Sequence, residues 1–306
     1  MLSICIPVYN FCVHELVNEL HNQASSIAVD FEIILIDDFS DVNFKNQNKH
    51  LAEFQNIKYI ELPRNIGRSK IRNLFLSYAQ YDYLLFLDCD AFVSSKTFLK
   101  KYIDTINNET VVVCGGLTYN SDKPGKEYRL RWKYGIRKEV VSFENRLKNP
   151  YKSFNTISFL IKKTLFQAYS FDERITGYGH EDTLFGFQLK THNIPVTHIN
   201  NPVINKSLEK NSEFLLKTEQ SIQNLIYIKK FLSNNADFEN SISLLNTYNK
   251  LKKTRALSIV FFFWLISHKM LRGLLASGFE SIGLFSFYKL GYLINKQQSS
   301  LPINAN

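Results

Sequence analysis

The stretch LLFLDCDAF, residues 84–92, decides the fold of this chain. Its first four residues are all apolar and predict a strand that is buried on both faces, as strands of parallel sheets are. Asp88 and Asp90 follow at once, with a single residue between them. Two carboxylates at the exit of a buried strand predict a polar site, although a strand that simply reaches solvent would show the same residues.

The same pattern of a short apolar strand recurs in the N-terminal half, with helix-compatible segments between the strands. The other stretches are LSICIPVY (2–9), FEIILIDD (31–38), IKYIEL (57–62) and TVVVCGG (110–116). Apolar strands alternating with helices predict an α/β fold, a doubly wound and mostly parallel sheet. Because the carboxyl ends of parallel strands lie on one edge, polar residues that follow different strands are expected to meet there.

Charge divides the 306-residue chain into two parts. Residues 1–205 carry 24 Lys+Arg against 22 Asp+Glu, and residues 206–306 carry 13 against 6. We therefore predict an α/β domain over 1–205, with halves at 1–120 and 121–205. A basic, apolar helical region over 206–306 is expected to follow it.

Two apolar stretches stand out in the C-terminal region, ALSIVFFFWLI (256–266) and IGLFSFYKLGYLI (282–294). The first is about half the ~20 residues needed to span a bilayer. Helices of this kind are typical of a membrane surface, and packing on the domain or in a dimer is the alternative. The basic charge favours an anionic membrane over nucleic acid, because no Arg-rich run is present.

The N-terminus and the cysteines indicate the compartment. MLSICIPVYN has no basic leader region, so the chain is expected in the cytoplasm, with a peripheral position on the inner face of the cell membrane as an alternative. Cys5, Cys12, Cys89 and Cys114 form no CxxC pair and no zinc spacing, which indicates reduced thiols. The turn after the first strand, PVYNFCVHE, has no glycine, which argues against dinucleotide and P-loop sites.

The ligand that best explains Asp88 and Asp90 is a divalent cation. Carboxylates on one side and the phosphates of a nucleotide on the other complete the oxygen shell of Mg²⁺ or Mn²⁺. The second strand ends on Asp37 and Asp38, where DDFS can either cap the next helix or bind a ligand. One aspartate of that pair is expected to cap and the other to bind.

The segment RNIGRSKIRN, residues 64–73, adds a candidate anion site. Asn65 precedes a glycine turn at the start of a helix, where backbone amides favour anions. Arg68 and Arg72 lie one helical turn apart and could both reach a diphosphate. A solvated basic helix face is the alternative interpretation.

Taken together and in this order, ICIPVYN, IILIDDFS, NIGRSKIRN and LFLDCDAF resemble the nucleotide-sugar domain of family 2 glycosyltransferases, which have the GT-A fold. The resemblance covers about the first 120 residues. It implies that Pro7, Tyr9 and Asp38 contact the base and ribose of the donor. It also implies that Asp88 lies near the ribose and the metal, and that Asp90 ligates the metal.

A second informative stretch is ITGYGHEDTLFGFQLK, residues 175–190. Tyr178 stands between two glycines, and aromatic faces stack on sugars. Glu181 and Asp182 fall in the first turn of a predicted helix, whose dipole is expected to keep a carboxylate ionised and able to act as a general base. An ordinary acidic helix start is the alternative.

This stretch resembles the Gly-aromatic-Gly-x-Glu-Asp motif of inverting galactosyl- and N-acetylhexosaminyltransferases and of bacterial chondroitin-type polymerases. The resemblance implies that Tyr178 and Gly179 contact the acceptor and that Glu181 and Asp182 hold its hydroxyl, with Asp182 as the base. His198 follows the last predicted strand, where relatives supply a metal ligand. A histidine in a loop or partial core explains it equally well.

The function predicted from these residues is a metal-dependent, inverting glycosyltransferase, using Mn²⁺ or Mg²⁺. It would move a hexose or N-acetylhexosamine from a nucleotide sugar, with UDP expected, to a glycan or lipid-linked acceptor in surface polysaccharide assembly. The alternatives are a non-catalytic nucleotide-sugar-binding or scaffold protein and a sugar nucleotidyltransferase. The sequence leaves the donor sugar, the linkage and the oligomeric state open.

Overall fold

The structure is a computed structural model that describes residues 1–27, 29–232 and 235–299. Its strands are β1 (Leu2–Val8), β2 (Phe31–Asp37), β3 (Ile57–Glu61), β4 (Tyr83–Leu87), β5 (Ala91–Phe92), β6 (Val112–Cys114), β7 (Leu117–Tyr119), β8 (Ser158–Lys162), β9 (Val196–His198) and β10 (Val203–Asn205). Its α-helices are α1 (His14–Ser26), α2 (Val42–Asn48), α3 (Arg68–Leu74), α4 (Phe98–Ile103), α5 (Arg129–Tyr134), α6 (Phe143–Lys148), α7 (Lys163–Ala168), α8 (Glu181–Thr191), α9 (Asn211–Phe231), α10 (Ala236–Ser241), α11 (Ser243–Lys253), α12 (Leu257–Ala276) and α13 (Ile282–Ser299).

The main sheet has seven strands in the order β3-β2-β1-β4-β8-β6-β9. The order reverses next to β1, as it does in doubly wound sheets, and strands β1 to β4 are parallel. Strand β8 is antiparallel to both of its neighbours, β4 and β6. A smaller sheet has the order β5-β10-β7. The predicted α/β architecture with a doubly wound, mostly parallel sheet is confirmed, and β8 makes the sheet mixed.

The two faces of the main sheet are covered by different helices, as the apolar strands require. Along β1, Ile4 and Ile6 pack into a cluster with Leu16 and Leu20 of α1, while Cys5 points into the opposite cluster. That opposite cluster is rich in phenylalanine, and the rings of Phe86 and Phe159 stack there across β4 and β8 at 4.9 Å. Alternate residues of each strand therefore fill two separate core layers.

The chain folds into two compact units. The α/β unit comprises Met1–Asn120, Lys138–Thr176 and Glu181–Ser207. The helical unit comprises Ser121–Arg137, Gly177–His180 and the chain from Leu208 onward. The predicted boundary at 205 and 206 lies close to the observed change, but two inserted segments, 121–137 and 177–180, belong with the C-terminal helices.

Three segments take forms that the sequence pattern does not specify. Residues Val42–Asn48 form α2, and a 3₁₀ turn, Lys49–Glu53, follows it directly. Residues 120–150, which lack a clear pattern, contain α5 and α6; Leu130 of α5 is fully buried and its amide donates to Asn211 Oδ1 at 3.0 Å. The apolar stretch 256–266 is only the first half of α12.

Candidate active site

Polar residues gather where β1 and β2 end, as expected. Tyr9 follows β1 directly and is exposed. Asp38 follows β2 and is buried, and its two carboxylate oxygens accept the amides of Ile66 (2.7 Å) and Gly67 (3.1 Å). Gly67 has φ of +84°, which glycine adopts without strain. Burial raises the pKa of Asp38, although these two amides oppose that effect.

These contacts give the two neighbouring aspartates structural roles that the sequence did not distinguish. Asp37 is fully buried and accepts the Ser40 amide at 2.7 Å and the Tyr59 hydroxyl at 3.0 Å. Neither aspartate caps α2, which begins after Asp41. Asp38 instead fixes the loop before α3, and Asn65 supports that loop by donating to the Asp38 carbonyl at 3.0 Å. The predicted donor contacts of Asp38, Asn65, Pro7 and Tyr9 stay predictions.

Arg68 and Arg72 bind protein carboxylates. Arg72 is 2% exposed, and its Nη2 donates to Asp88 Oδ1 at 2.5 Å. Arg68 Nη2 lies 3.6 Å from the other oxygen of Asp88. Both arginines were expected to reach a diphosphate, but Arg72 is buried. Arg68, whose side chain is 39% exposed, is the accessible one of the pair.

The same two arginines also bind Glu181, the first residue of α8. Arg68 Nε donates to Glu181 Oε1 at 2.5 Å, and Arg72 Nη1 lies 3.9 Å from that oxygen. Burial alone would raise the pKa of Glu181, but the charges of Arg68 and Arg72 outweigh it and hold the pKa below its usual range. We call Arg68, Arg72, Asp88 and Glu181 the arginine bridge. It joins the DCD motif to the start of α8.

Asp182 is next to the arginine bridge in sequence, and its environment differs from that of Glu181. Its Oδ1 accepts the Thr183 amide at 2.6 Å. Burial, reinforced by the negative charge of Glu181, raises the pKa of Asp182 to about 6. The helix dipole was expected to dominate, but burial and the neighbouring carboxylate outweigh it. A carboxylate with a pKa near 6 is ionised at neutral pH and still basic enough to take a proton.

The predicted cation site has two carboxylates and needs ligands from outside the chain. Asp88 and Asp90 are both partly exposed where β4 ends. Within the described part of the chain, no three His, Cys, Asp or Glu side chains group closely enough to hold a metal ion by themselves. Mg²⁺ and similar hard cations are commonly held by one or two carboxylates plus substrate phosphates, so this donor set fits such a cation.

His198 has a different role from the predicted metal ligand. It is buried at the end of β9, where Nε2 lies 2.9 Å from the Pro150 carbonyl and Nδ1 lies 3.1 Å from Arg146 Nη1. Nε2 must donate to the carbonyl, so Nδ1 accepts from the arginine and neither nitrogen is left for a metal. Burial lowers the pKa of His198, in agreement with a neutral ring. His198 braces Arg146.

The glycines around Tyr178 are explained by close packing within the helical unit. A Cβ atom on Gly177 would lie 2.2 Å from Gln220 Nε2, and one on Gly179 would lie 2.5 Å from Ser221 Cβ, both on α9. Asn224 of the same helix donates to the carbonyls of Tyr178 (3.1 Å) and Gly179 (3.2 Å). The loop is therefore held against α9, and Tyr178 is half-buried.

Lys206 lies beside the DCD motif and was not singled out from the sequence. Its amide donates to the Asp90 carbonyl at 3.0 Å, and its ammonium pairs with Glu15 at 2.6 Å and lies over the Phe92 ring. Lys206 directly follows β10, a strand that was not predicted from the sequence. The pairing of β10 with β5 is what brings it to Asp90, and the sequence does not show that pairing.

The sheet is doubly wound, carries acidic residues at its carboxyl edge and contains one strand, β8, that is antiparallel to its neighbours. This is the arrangement of GT-A-fold proteins. Residues 3–169 match the family described as Glycosyl transferase family 2, which is more than half of the chain. The chain therefore belongs to that family.

Comparison with known proteins agrees with this assignment. The chain is 29% identical over 223 residues to the chondroitin synthase of Escherichia coli; the match covers 61% of this chain and 32% of that protein. It is similar in fold to a mannosyltransferase of Pyrobaculum calidifontis in complex with GDP-Man and Mn²⁺, with a TM-score of 0.60, 12% identity and coverage of 97% and 86%. It is also similar to S. aureus TarS in complex with UDP-GlcNAc, with a TM-score of 0.51, 16% identity and coverage of 97% and 91%. The matched part is about a third of the chondroitin synthase.

Proposed function

We propose that this chain is an inverting glycosyltransferase that moves a hexose or N-acetylhexosamine from a nucleotide sugar to a hydroxyl of a glycan or lipid-linked acceptor. The observation that carries the proposal is the arginine bridge. It connects Asp88, in the motif that resembles the donor site, to Glu181, which directly precedes the candidate base Asp182. Donor and acceptor chemistry then belong to one charged cluster of the α/β unit.

In this reaction Asp182 takes the proton of the acceptor hydroxyl. The acceptor oxygen attacks the anomeric carbon while the bond from that carbon to the diphosphate breaks on the opposite face. The pair of electrons leaves with the nucleoside diphosphate, so one displacement inverts the carbon and needs no nucleophile of the enzyme. The role of Asp182 as base is supported by its pKa of about 6, because the base is ionised at neutral pH.

The arginine bridge sets the charge around that reaction. Arg72 is buried and holds Asp88 in place, which makes it a positioning residue. Arg68 is partly exposed, and its guanidinium stabilises the negative charge that develops on the departing diphosphate. Asp90 and Asp88 would hold Mn²⁺ or Mg²⁺, which when bound supplies further neutralisation of that charge.

The relatives support the proposed setting and donor. The matched E. coli protein is a chondroitin synthase, which supports a role in polysaccharide biosynthesis. The fold relatives contain GDP-Man with Mn²⁺ and UDP-GlcNAc. We favour a UDP-sugar, because the motif at 177–182 resembles that of N-acetylhexosaminyl- and galactosyltransferases.

The proposal is tested by incubating the full chain with UDP-Glc, UDP-Gal, UDP-GlcNAc, UDP-GalNAc and GDP-Man, each with Mn²⁺, and measuring released nucleoside diphosphate. We expect release from one UDP-sugar, and a loss of release in Asp90→Ala. Asp104→Asn, which removes an exposed carboxylate directly after α4, where it pairs with Lys100, is the matched control. Release from no donor, or equal release by Asp90→Ala, would contradict the proposal.

A further inference from the structure

Helix α12 has an unusual surface: most of its exposed side chains are apolar. Within the described residues it is the one helix that is long and apolar enough to cross a membrane by length and composition. The exposed residues are Ile259, Phe262, Phe263, Ile266 and Met270, which we call the apolar face. Their spacing of three and four residues places them along one stripe of the helix.

The opposite side of α12 is packed inside the helical unit. Trp264, Leu271 and Leu275 are buried, and the last two belong to a cluster with Phe285 of α13. Trp264 lies so close to α13 that a Cβ atom on Gly291 would be 2.0 Å from its indole ring. A helix that is packed along one side cannot be surrounded by lipid without leaving those contacts. The apolar face can therefore meet a bilayer only along its surface.

Charge identifies the kind of surface. Between Glu239 and Glu280 the chain has no acidic residue and six basic ones. Lys252, Lys253 and Arg255 are exposed immediately before α12. Exposed cations beside an apolar stripe are the pattern by which an interfacial helix binds anionic lipid. These like charges disfavour self-association through the same face, because two copies would bring them together.

We propose that the apolar face of α12 docks the protein on an anionic membrane, with Lys252, Lys253 and Arg255 contacting lipid phosphates. The apolar face from Ile259 to Met270 is about 17 Å long, three turns of helix, which suits insertion at the level of the headgroups. The docking depends on no donor or acceptor, so it holds or fails separately from the proposed enzymatic activity.

The test is co-sedimentation of the full chain with vesicles of phosphatidylcholine plus phosphatidylglycerol, and with vesicles of phosphatidylcholine alone. We expect binding to the anionic vesicles that weakens in high salt, and little binding to the neutral ones. Phe262→Ser with Ile266→Ser removes side chains that are 59% and 69% exposed, and should weaken anionic-vesicle binding roughly 30-fold. Lys252→Gln, Lys253→Gln and Arg255→Gln together should weaken it about tenfold or more.

The matched control is Leu216→Ser with Phe54→Ser, which removes side chains of similar exposure, 55% and 50%, outside α12. It should bind vesicles like the unmodified chain, and all variants should keep the same thermal unfolding midpoint because the changed residues are exposed. Absence of vesicle binding, or equal loss in the control, would overturn the proposal. A dimer in light scattering that Phe262→Ser with Ile266→Ser converts to a monomer, without vesicle binding, would assign the face to a second copy instead. Donor turnover in the same samples reports on the proposed enzymatic function independently.

Discussion

Arg72 and Arg146 are both almost fully buried in the α/β unit, but their surroundings differ. Arg72 binds Asp88 and lies 3.9 Å from Glu181, so its charge is matched by carboxylates. Arg146 binds the neutral ring of His198 and the carbonyls of Cys114 and Ile199. Each also leaves its Nε without a hydrogen-bond partner among the described residues.

The difference shows how similar residues serve chemistry in one place and packing in another. The carboxylates around Arg72 lie where a donor and a cation would add further charge. The balance between these charges and that of Arg72 therefore affects the reaction. The partners of Arg146 are neutral, and it fills the space beneath Gly116, where a Cβ atom would be 2.8 Å from its Nη2. We therefore expect changes near Arg72 to alter activity and changes near Arg146 to alter stability alone.

The largest effect is expected for Asp182→Asn, which removes the base beside the arginine bridge. Transfer to acceptor should fall roughly 10³-fold, because an amide cannot take the hydroxyl proton. The apparent affinity for the donor should change little. Steady-state rates of sugar transfer measure this, with Asp104→Asn as the control. A loss of less than about fivefold would remove Asp182 from the catalytic role.

The comparison of the two arginines is tested by Arg72→Met and Arg146→Met. Arg72→Met leaves Asp88 and Glu181 with one cation fewer, so the free energy of unfolding should fall by ~3–5 kcal/mol. Donor turnover per folded molecule should fall as well, because Asp88 loses its anchor. Arg146→Met should lower the free energy of unfolding by ~1–3 kcal/mol through lost hydrogen bonds. Urea unfolding measures the change in stability, and turnover of the folded fraction measures the change in activity. Equal turnover in both variants would contradict the expected difference between Arg72 and Arg146.

A smaller effect is expected for His198→Asn. Loss of the brace on Arg146 should lower the free energy of unfolding by ~1–2 kcal/mol. The Mn²⁺ concentration that gives half-maximal turnover should stay the same, since both ring nitrogens bind protein groups. A metal titration decides this. An increase of tenfold or more in that concentration would restore His198 as a ligand.

Much of the α/β unit could be predicted from the sequence, because apolar runs report burial directly. Strands β1 to β3 were predicted within one residue at each end. The direction of β8 was not predictable, because SFLIK has the same apolar pattern in either direction. The sheet formed by β5, β10 and β7 was missed, because strands of two or three residues carry no periodicity.

The contacts within the candidate site were harder to predict than the fold. The sequence placed Asp88 and Arg72 in one candidate donor site, and the structure pairs them directly. From the sequence, both arginines were expected to bind a diphosphate. The sequence does not show that Glu181 of α8 lies beside them and balances their positive charge. His198 was misjudged for the same reason: its partners, Pro150 and Arg146, lie about 50 residues away along the chain.

The pH dependence of transfer, measured in the unmodified chain and in Glu181→Gln, tests whether Asp182 is the base and whether Glu181 raises its pKa. Asp182 must be ionised to act as base, so transfer should decline as the pH falls below about 6. The charge of Glu181 raises the pKa of Asp182, so Glu181→Gln should shift this decline to lower pH, toward the ~3.9 of an ordinary aspartate. Asp104→Asn should leave the decline in place. A decline that stays at the same pH, or moves upward, in Glu181→Gln would contradict the account.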